Sequence, residues 1–290
     1  MTGLVIEPRQ HDLGHGLIVK RVLPFVRCRM VGPFVFYDHA GPTTLPPEER
    51  HRVDVRPHPH IGLATISYVL SGMVTHRDSL GITQAIVPGE VNWMTAGRGI
   101  VHSERFDDPA SFASPGLELL QSWIALPEED EEIAPSFEHV GTERLPEVGD
   151  GGRWLRLIAG TAYGLTSPVA TRSPMFYLHL ELDAGARTAL PTGYSERAAY
   201  LVRGSVEFGG ERLASGTMRV FGTNEAPTLT ALEPSTLMLL GGEPLGERFL
   251  WWNFVSSRKD RIEQAKADWE AGRFALPPDD DREFIPLPRK

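Results

Sequence analysis

A single cysteine, Cys28, among 290 residues rules out an internal disulfide framework and any zinc site built on thiolates. A metal site in this chain must therefore rely on imidazole and carboxylate. No stretch is apolar for long enough to span a bilayer, and the opening residues Met1 to Pro8 lack the basic segment and apolar run of a secretory leader. The expectation is a cytoplasmic protein with no membrane partner. Tracts rich in Ser, Gln or Gly are absent, and 41% apolar with 23% charged residues suits a globular chain that can bury a core. Positive charge is also scarce. With 29 Lys and Arg against 38 Asp and Glu, the net charge of −9 opposes direct contact with nucleic-acid phosphates or anionic lipid.

What the chain does have is period-two patterning. Phe176, Leu178, Leu180 and Leu182 alternate with Tyr177, His179 and Glu181, the mark of a strand with one buried face. The 29 Gly and 24 Pro break the chain at short intervals, which favours barrels or sandwiches over helix bundles, so the chain reads as all-β. A weak repeat sharpens this: Tyr68-Val69-Leu70-Ser71-Gly72 returns as Tyr200-Leu201-Val202-Arg203-Gly204, 132 residues later. A second glycine turn follows each copy, at Gly89 and at Gly216. Between the copies, the acidic run Pro127 to Glu132 and the stretch on to Gly152 read as solvated linker. The expected domains are residues 1–135 and 136–290. Near the end, Ser256-Ser257 reads as a cap, and Ile262, Ala265 and Trp269 form one apolar face of a helix expected to pack on the second domain.

Two histidine pairs carry the chemistry. In His58-Pro59-His60 the imidazoles stand two residues apart, so on an extended strand they project from one face and can share an ion. His102-Ser103-Glu104 repeats that spacing with an imidazole and a carboxylate. Residue types alone leave open whether these are a chelate or ordinary hydrogen-bonded side chains. In the second half, alignment on the repeated strand puts Leu190 and Thr192 where His58 and His60 stand, so one ion per chain is expected. His11, His15, His39, His51, His76 and His139 lack a partner at the chelating spacing and read as surface or core. His76 is the least certain of them because it follows the Gly72 turn. His179, Trp93, Met94 and Phe36 likewise read as packing residues.

The stretches Asp54-Val55-Arg56-Pro57-His58-Pro59-His60-Ile61-Gly62-Leu63-Ala64-Thr65 and Pro88-Gly89-Glu90-Val91-Asn92-Trp93-Met94-Thr95-Ala96-Gly97-Arg98-Gly99-Ile100-Val101-His102-Ser103-Glu104 resemble the signature of the pirins. That resemblance implies two tandem cupin barrels with a short C-terminal helix, and a metal in the first barrel held by His58, His60, His102 and Glu104. A glutamate that cupins in general place four or five residues after the second histidine would fall on Ala64 or Thr65, and it is absent. Glu104 supplies the carboxylate instead, as in pirins.

The resemblance also implies a function. The expected cofactor is one divalent ion, Fe²⁺ first, with Mn, Ni and Zn as alternatives. Three imidazoles and one carboxylate leave two positions of a six-coordinate ion open, for an oxygen-donor substrate and dioxygen. The implied reaction is quercetin 2,3-dioxygenase-type ring opening of a flavonol by O₂ with release of carbon monoxide, with Glu104 accepting the 3-hydroxyl proton. Two other readings stay open. One is a redox-dependent regulator that acts through a protein partner, and the other is a structural zinc or nickel site.

Overall fold

The computed structural model describes residues 3–13, 16–112, 114–223, 225 and 227–288, so His15 lies outside the described residues. Alternating sequence becomes antiparallel strand almost throughout, and the single described α-helix runs over Lys259–Glu270. The strands gather into two compact units. One comprises residues 10–19, 37–139 and 245–290, and the other 1–9, 20–36 and 140–244. Sequence reading expected a single cut at 135/136, whereas the units exchange segments at both ends of the chain.

In the first unit the strands Val91–Thr95, Leu63–Ser71 and Leu117–Ala125 lie side by side in one sheet. A second sheet has the order Val55–His60, Ile100–Arg105, Val74–Asp78, Thr83–Ile86. The second unit repeats this plan. Its larger sheet runs Met218–Phe221, Glu196–Arg203, Ser235–Gly242, Met175–Leu182, and its smaller one Arg187–Ala189, Thr228–Ala231, Val206–Phe208, Glu211–Leu213. The repeated pentapeptide thus ends structurally equivalent strands. Gly72 and Gly204 both take positive φ, 79° and 94°, and an added Cβ would come within 2.3 Å of Ser111 O and Ser235 Oγ respectively. Only glycine fits both the conformation and the space.

The second barrel is filled with hydrocarbon. Phe176, Leu178, Leu180 and Leu182 point inward with Leu190, Leu229 and Ala231, all in one buried cluster. Leu190 stands where the repeat puts a histidine in the first half, and Leu229 and Ala231 occupy the strand equivalent to Ile100–Arg105. Outward-facing His179 donates from Nε2 to Glu181 Oε1, 2.9 Å away, and abuts Trp154. Trp93, Met94 and Phe36 are buried, as packing residues should be.

Three expectations change. The helix packs on the first unit and not the second: Ile262, Ala265 and Trp269 cover Ile61, Val101 and Phe254. Val101 alternates with the inward-facing His102, so it faces out of the first barrel and needs a cover. Burying a side chain of this size stabilises by about 1.5–3 kcal/mol. Ser256 and Ser257 do not cap the helix. Arg258 occupies the cap position without a side-chain bond, and the two hydroxyls reach Glu131 Oε2 at 2.7 and 3.2 Å. For that reason the acidic stretch is not plain solvated linker. Glu131 is buried, also meets Arg248 at 3.1 Å, and the strands Ser136–Val140 and Glu147–Asp150 follow.

The tail beyond the helix returns across the sheet that carries His58, His60 and His102. Asp280 accepts from Ser103 Oγ at 2.6 Å and from Arg105 at 2.6 and 2.7 Å, and the Ile285 amide donates to Pro57 O at 2.8 Å. Gly62 lets the segment before the helix approach: at φ 67° it brings Val255 O to 2.0 Å from where a Cβ would stand.

Candidate metal centre

Among the described strands, Val55–His60 lies at the edge of its sheet, paired with Ile100–Arg105. That position tolerates Pro57 and Pro59, whose missing amides face away from the ladder. The prolines leave His58 and His60 pointing together into the barrel. His58 stands directly across from His102 in the register, and His60 across from Ile100. A bulge follows between His102 and Glu104, at the point where the third imidazole gives way to the carboxylate.

The structure brings three of the four expected side chains together. One imidazole nitrogen from each of His58, His60 and His102 lies within 4.8 Å of the other two, all three rings buried. Glu104 is not one of the converging donors. It shares the inward side of its strand with His102 and stands opposite His76 on the neighbouring strand.

The tautomers follow from the outer partners. The His58 Nδ1–H donates to Arg56 O at 2.9 Å, and His60 Nδ1–H to Asn253 O at 3.1 Å. A carbonyl only accepts, so Nε2 of each neutral ring is a bare lone pair. His76 Nε2 lies 3.0 Å from Asp78 Oδ2, and a carboxylate likewise accepts. His76 Nδ1 is then an acceptor for His102 Nδ1–H at 3.3 Å, which leaves His102 Nε2 bare as well. Yet His60 Nε2 and His102 Nε2 stand 3.1 Å apart. Two lone pairs at that separation repel unless a cation lies between them. Nitrogens about 2.1 Å from one ion and at right angles around it are about 3.0 Å apart, so the donor set fits a metal ion.

Electrostatics agree. Burial pushes the His58 imidazole down to about 4, and desolvation together with its imidazole neighbours drives His60 and His102 well below the ordinary histidine range. The three rings are thus neutral, the form that ligates. Glu104 is pushed the other way, up to about 7, and desolvation is its only cause. A carboxylate placed in that environment without a counter-charge is what a nearby cation would relieve.

Sequence reading missed two contributors. His76 reads from the sequence as a surface or core residue, whereas in the structure it pairs with Asp78, contacts His102 and stacks on Phe137 at 4.5 Å. The signal was present, since His76-Arg77-Asp78 has the same two-residue strand spacing as the ligand pairs. The Asn253 carbonyl has no side-chain signal. It sits in a two-residue turn whose other member, Trp252, has φ 52°, a left-handed conformation that strains a bulky residue by about 1–3 kcal/mol. Three of the other described histidines are engaged elsewhere: His39 with Glu118, His51 with Asp54, and His139 with Asn92.

Comparison with known proteins gives a consistent picture. The Pirin family model matches residues 16–124, and the Pirin C-terminal cupin domain model matches residues 177–275. A pirin-like protein of Caulobacter vibrioides is 55% identical over 289 residues, which is 99% of this chain and 100% of that protein. The crystal structure of a quercetin 2,3-dioxygenase from Acinetobacter baumannii has a TM-score of 0.91 at 33% identity, covering 100% of this chain and 96% of that one. The fold also matches the bacterial pirin YhhW from Escherichia coli, solved in complex with nickel(II), with a TM-score of 0.65 at 20% identity over 84% of this chain and 100% of that one. No described helix is long and apolar enough to cross a membrane.

Proposed function

The chain belongs to the pirin family, a two-cupin fold with a metal-competent histidine triad in its first barrel, and from that premise we propose that it is a cytoplasmic, iron-dependent dioxygenase of the quercetin 2,3-dioxygenase type. One observation carries the reading: three bare Nε2 atoms converge in the barrel of a chain that is similar throughout to a quercetin 2,3-dioxygenase. The expected substrates are a flavonol and O₂. Both oxygen atoms enter the opened product, and one ring carbon leaves as carbon monoxide.

His58, His60 and His102 would hold the ion, with Glu104 as the fourth ligand. When bound, a divalent iron supplies the Lewis acidity and one-electron chemistry that dioxygen insertion requires. The protein's part is to keep the three imidazoles neutral and fixed, which their burial and Nδ1 partners do. Glu104 is the candidate for taking the 3-hydroxyl proton, because a carboxylate held at the ion would lie within reach of a hydroxyl approaching the same ion. Leu190, Leu229 and Ala231 fill the corresponding region of the second barrel, so the chemistry belongs to the first.

Anaerobic reconstitution with Fe²⁺, followed by addition of quercetin and air, tests the reading. Quercetin loss matched by carbon monoxide is expected, with most of the rate lost in Glu104→Gln. Equal rates in the wild type and that variant would remove Glu104 from the chemistry, and no turnover in either would sink the dioxygenase assignment.

A further inference from the structure

We propose that Asp78 and His76 are positioning residues for the metal centre, a buried carboxylate–imidazole relay that holds His102 in the one tautomer able to ligate a cation. The inference rests on the metal-binding part of the proposed function and is independent of the substrate.

All three imidazoles of the triad need Nδ1 to carry the proton, but they obtain it differently. His58 and His60 donate to backbone carbonyls, which are permanent acceptors. His102 donates to another imidazole, and an imidazole nitrogen accepts only while its other nitrogen holds the proton. That condition is set by Asp78. Its Oδ1 is pinned by the amides of Leu80 at 2.8 Å and Ile82 at 3.2 Å, which leaves Oδ2 to accept from His76 Nε2 at 3.0 Å. The register aligns the relay, since Asp78 lies across from His102 and His76 across from Glu104. The stack of His76 on Phe137, inclined by only 18°, fixes the ring plane. Asp78 is fully buried and His76 nearly so, so water does not compete for these bonds. Neither residue belongs to the converging donor set.

The test is Asp78→Asn, a change of almost no volume. The asparagine oxygen still serves the two turn amides, but its NH₂ now donates where Oδ2 accepted. His76 must then accept at Nε2 and donate from Nδ1, which pushes the His102 proton onto Nε2 and blocks the lone pair. Co²⁺ titration of the metal-free protein should show binding weakened about 10–100-fold, the usual effect of losing an outer partner of a metal-bound histidine. His76→Leu, which removes the acceptor, should weaken it similarly. In the Co²⁺ form, the wild type should show three slowly exchanging, paramagnetically shifted imidazole N–H signals, and both variants should lose one. A variant that fails to fold does not end the test. Long-range ¹H–¹⁵N spectra of the metal-free wild type should report His102 as the Nδ1–H tautomer. Unchanged Co²⁺ affinity in Asp78→Asn, or the Nε2–H tautomer in the wild type, would overturn the relay. A wild type that binds no Co²⁺ would overturn the metal reading with it. Absence of quercetin turnover with Co²⁺ binding intact would leave the relay standing.

Discussion

Loading of the first barrel with a divalent ion should release protons, and the number released identifies the fourth ligand. In the metal-free protein Glu104 is pushed up to about 7 by burial, while His58 is pushed down to about 4 and the other two imidazoles are also depressed. At pH 6 the carboxyl is then about 90% protonated and the three imidazoles are almost wholly bare, whereas at pH 8 the carboxyl is about 10% protonated. A ligand must give up its proton, so binding should release about 0.9 proton at pH 6 and about 0.1 at pH 8, all of it from Glu104. The sign follows from the raised value: protons compete with the ion only below pH 7, where apparent affinity should fall by about tenfold per unit of pH and level off above it. Calorimetric titration with Co²⁺ in buffers of different ionisation enthalpy reads the number directly. Glu104→Gln should release almost nothing at either pH. Release below about 0.2 proton at pH 6 in the wild type would show that the carboxylate does not join the imidazoles.

Other expectations follow from the same structure. In the Glu104→Gln background, which removes the opposing carboxyl, the metal-free protein should be fully stable above pH 6.5. It should lose up to about 1.4 kcal/mol per pH unit from His58 alone as pH falls towards 4, because the unfolded chain then binds protons that the buried ring refuses; urea titrations between pH 7 and 4.5 would check this. Leu190→Ala should destabilise the second barrel by about 2–5 kcal/mol through the cavity it leaves, with Co²⁺ affinity unchanged; a loss of affinity would contradict a metal site confined to the first barrel. Asp280→Ala should cost about 2 kcal/mol, since it removes charge-assisted bonds to Arg105 that hold this carboxylate below its usual range despite its desolvation, and thermal melting of the metal-free form would show it.

The sequence made the strands legible because their periodicity is physical: Phe176 to Leu182 alternates since one face fills a barrel. The triad was legible for the same reason, as a two-residue spacing on a strand has only one geometric meaning. His76-Arg77-Asp78 carried that spacing too, but a histidine next to a carboxylate looks like any surface pair until the strand opposite it is known. The destination of the helix was not legible. Its stripe of Ile262, Ala265 and Trp269 declares that something is to be covered, and only the fold discloses that Val101 and Ile61 need it. Glu131 misled for a related reason, because a run of acids looks solvated until two serine hydroxyls and an arginine converge on one member of it.

The Asn253 carbonyl that fixes His60 is 193 residues further along the chain. During synthesis all four prospective ligands are in place by Glu104, 149 residues before Asn253 is added. At translation rates of about 5–20 residues per second, that interval lasts about 7–30 s. For that time the His60 ring is free to turn and the edge strand lacks the strap from Ile285, so a nascent chain offers its ligands without the order that makes them a tight site. Ion capture at full strength is therefore an event of the finished chain, not of the growing one.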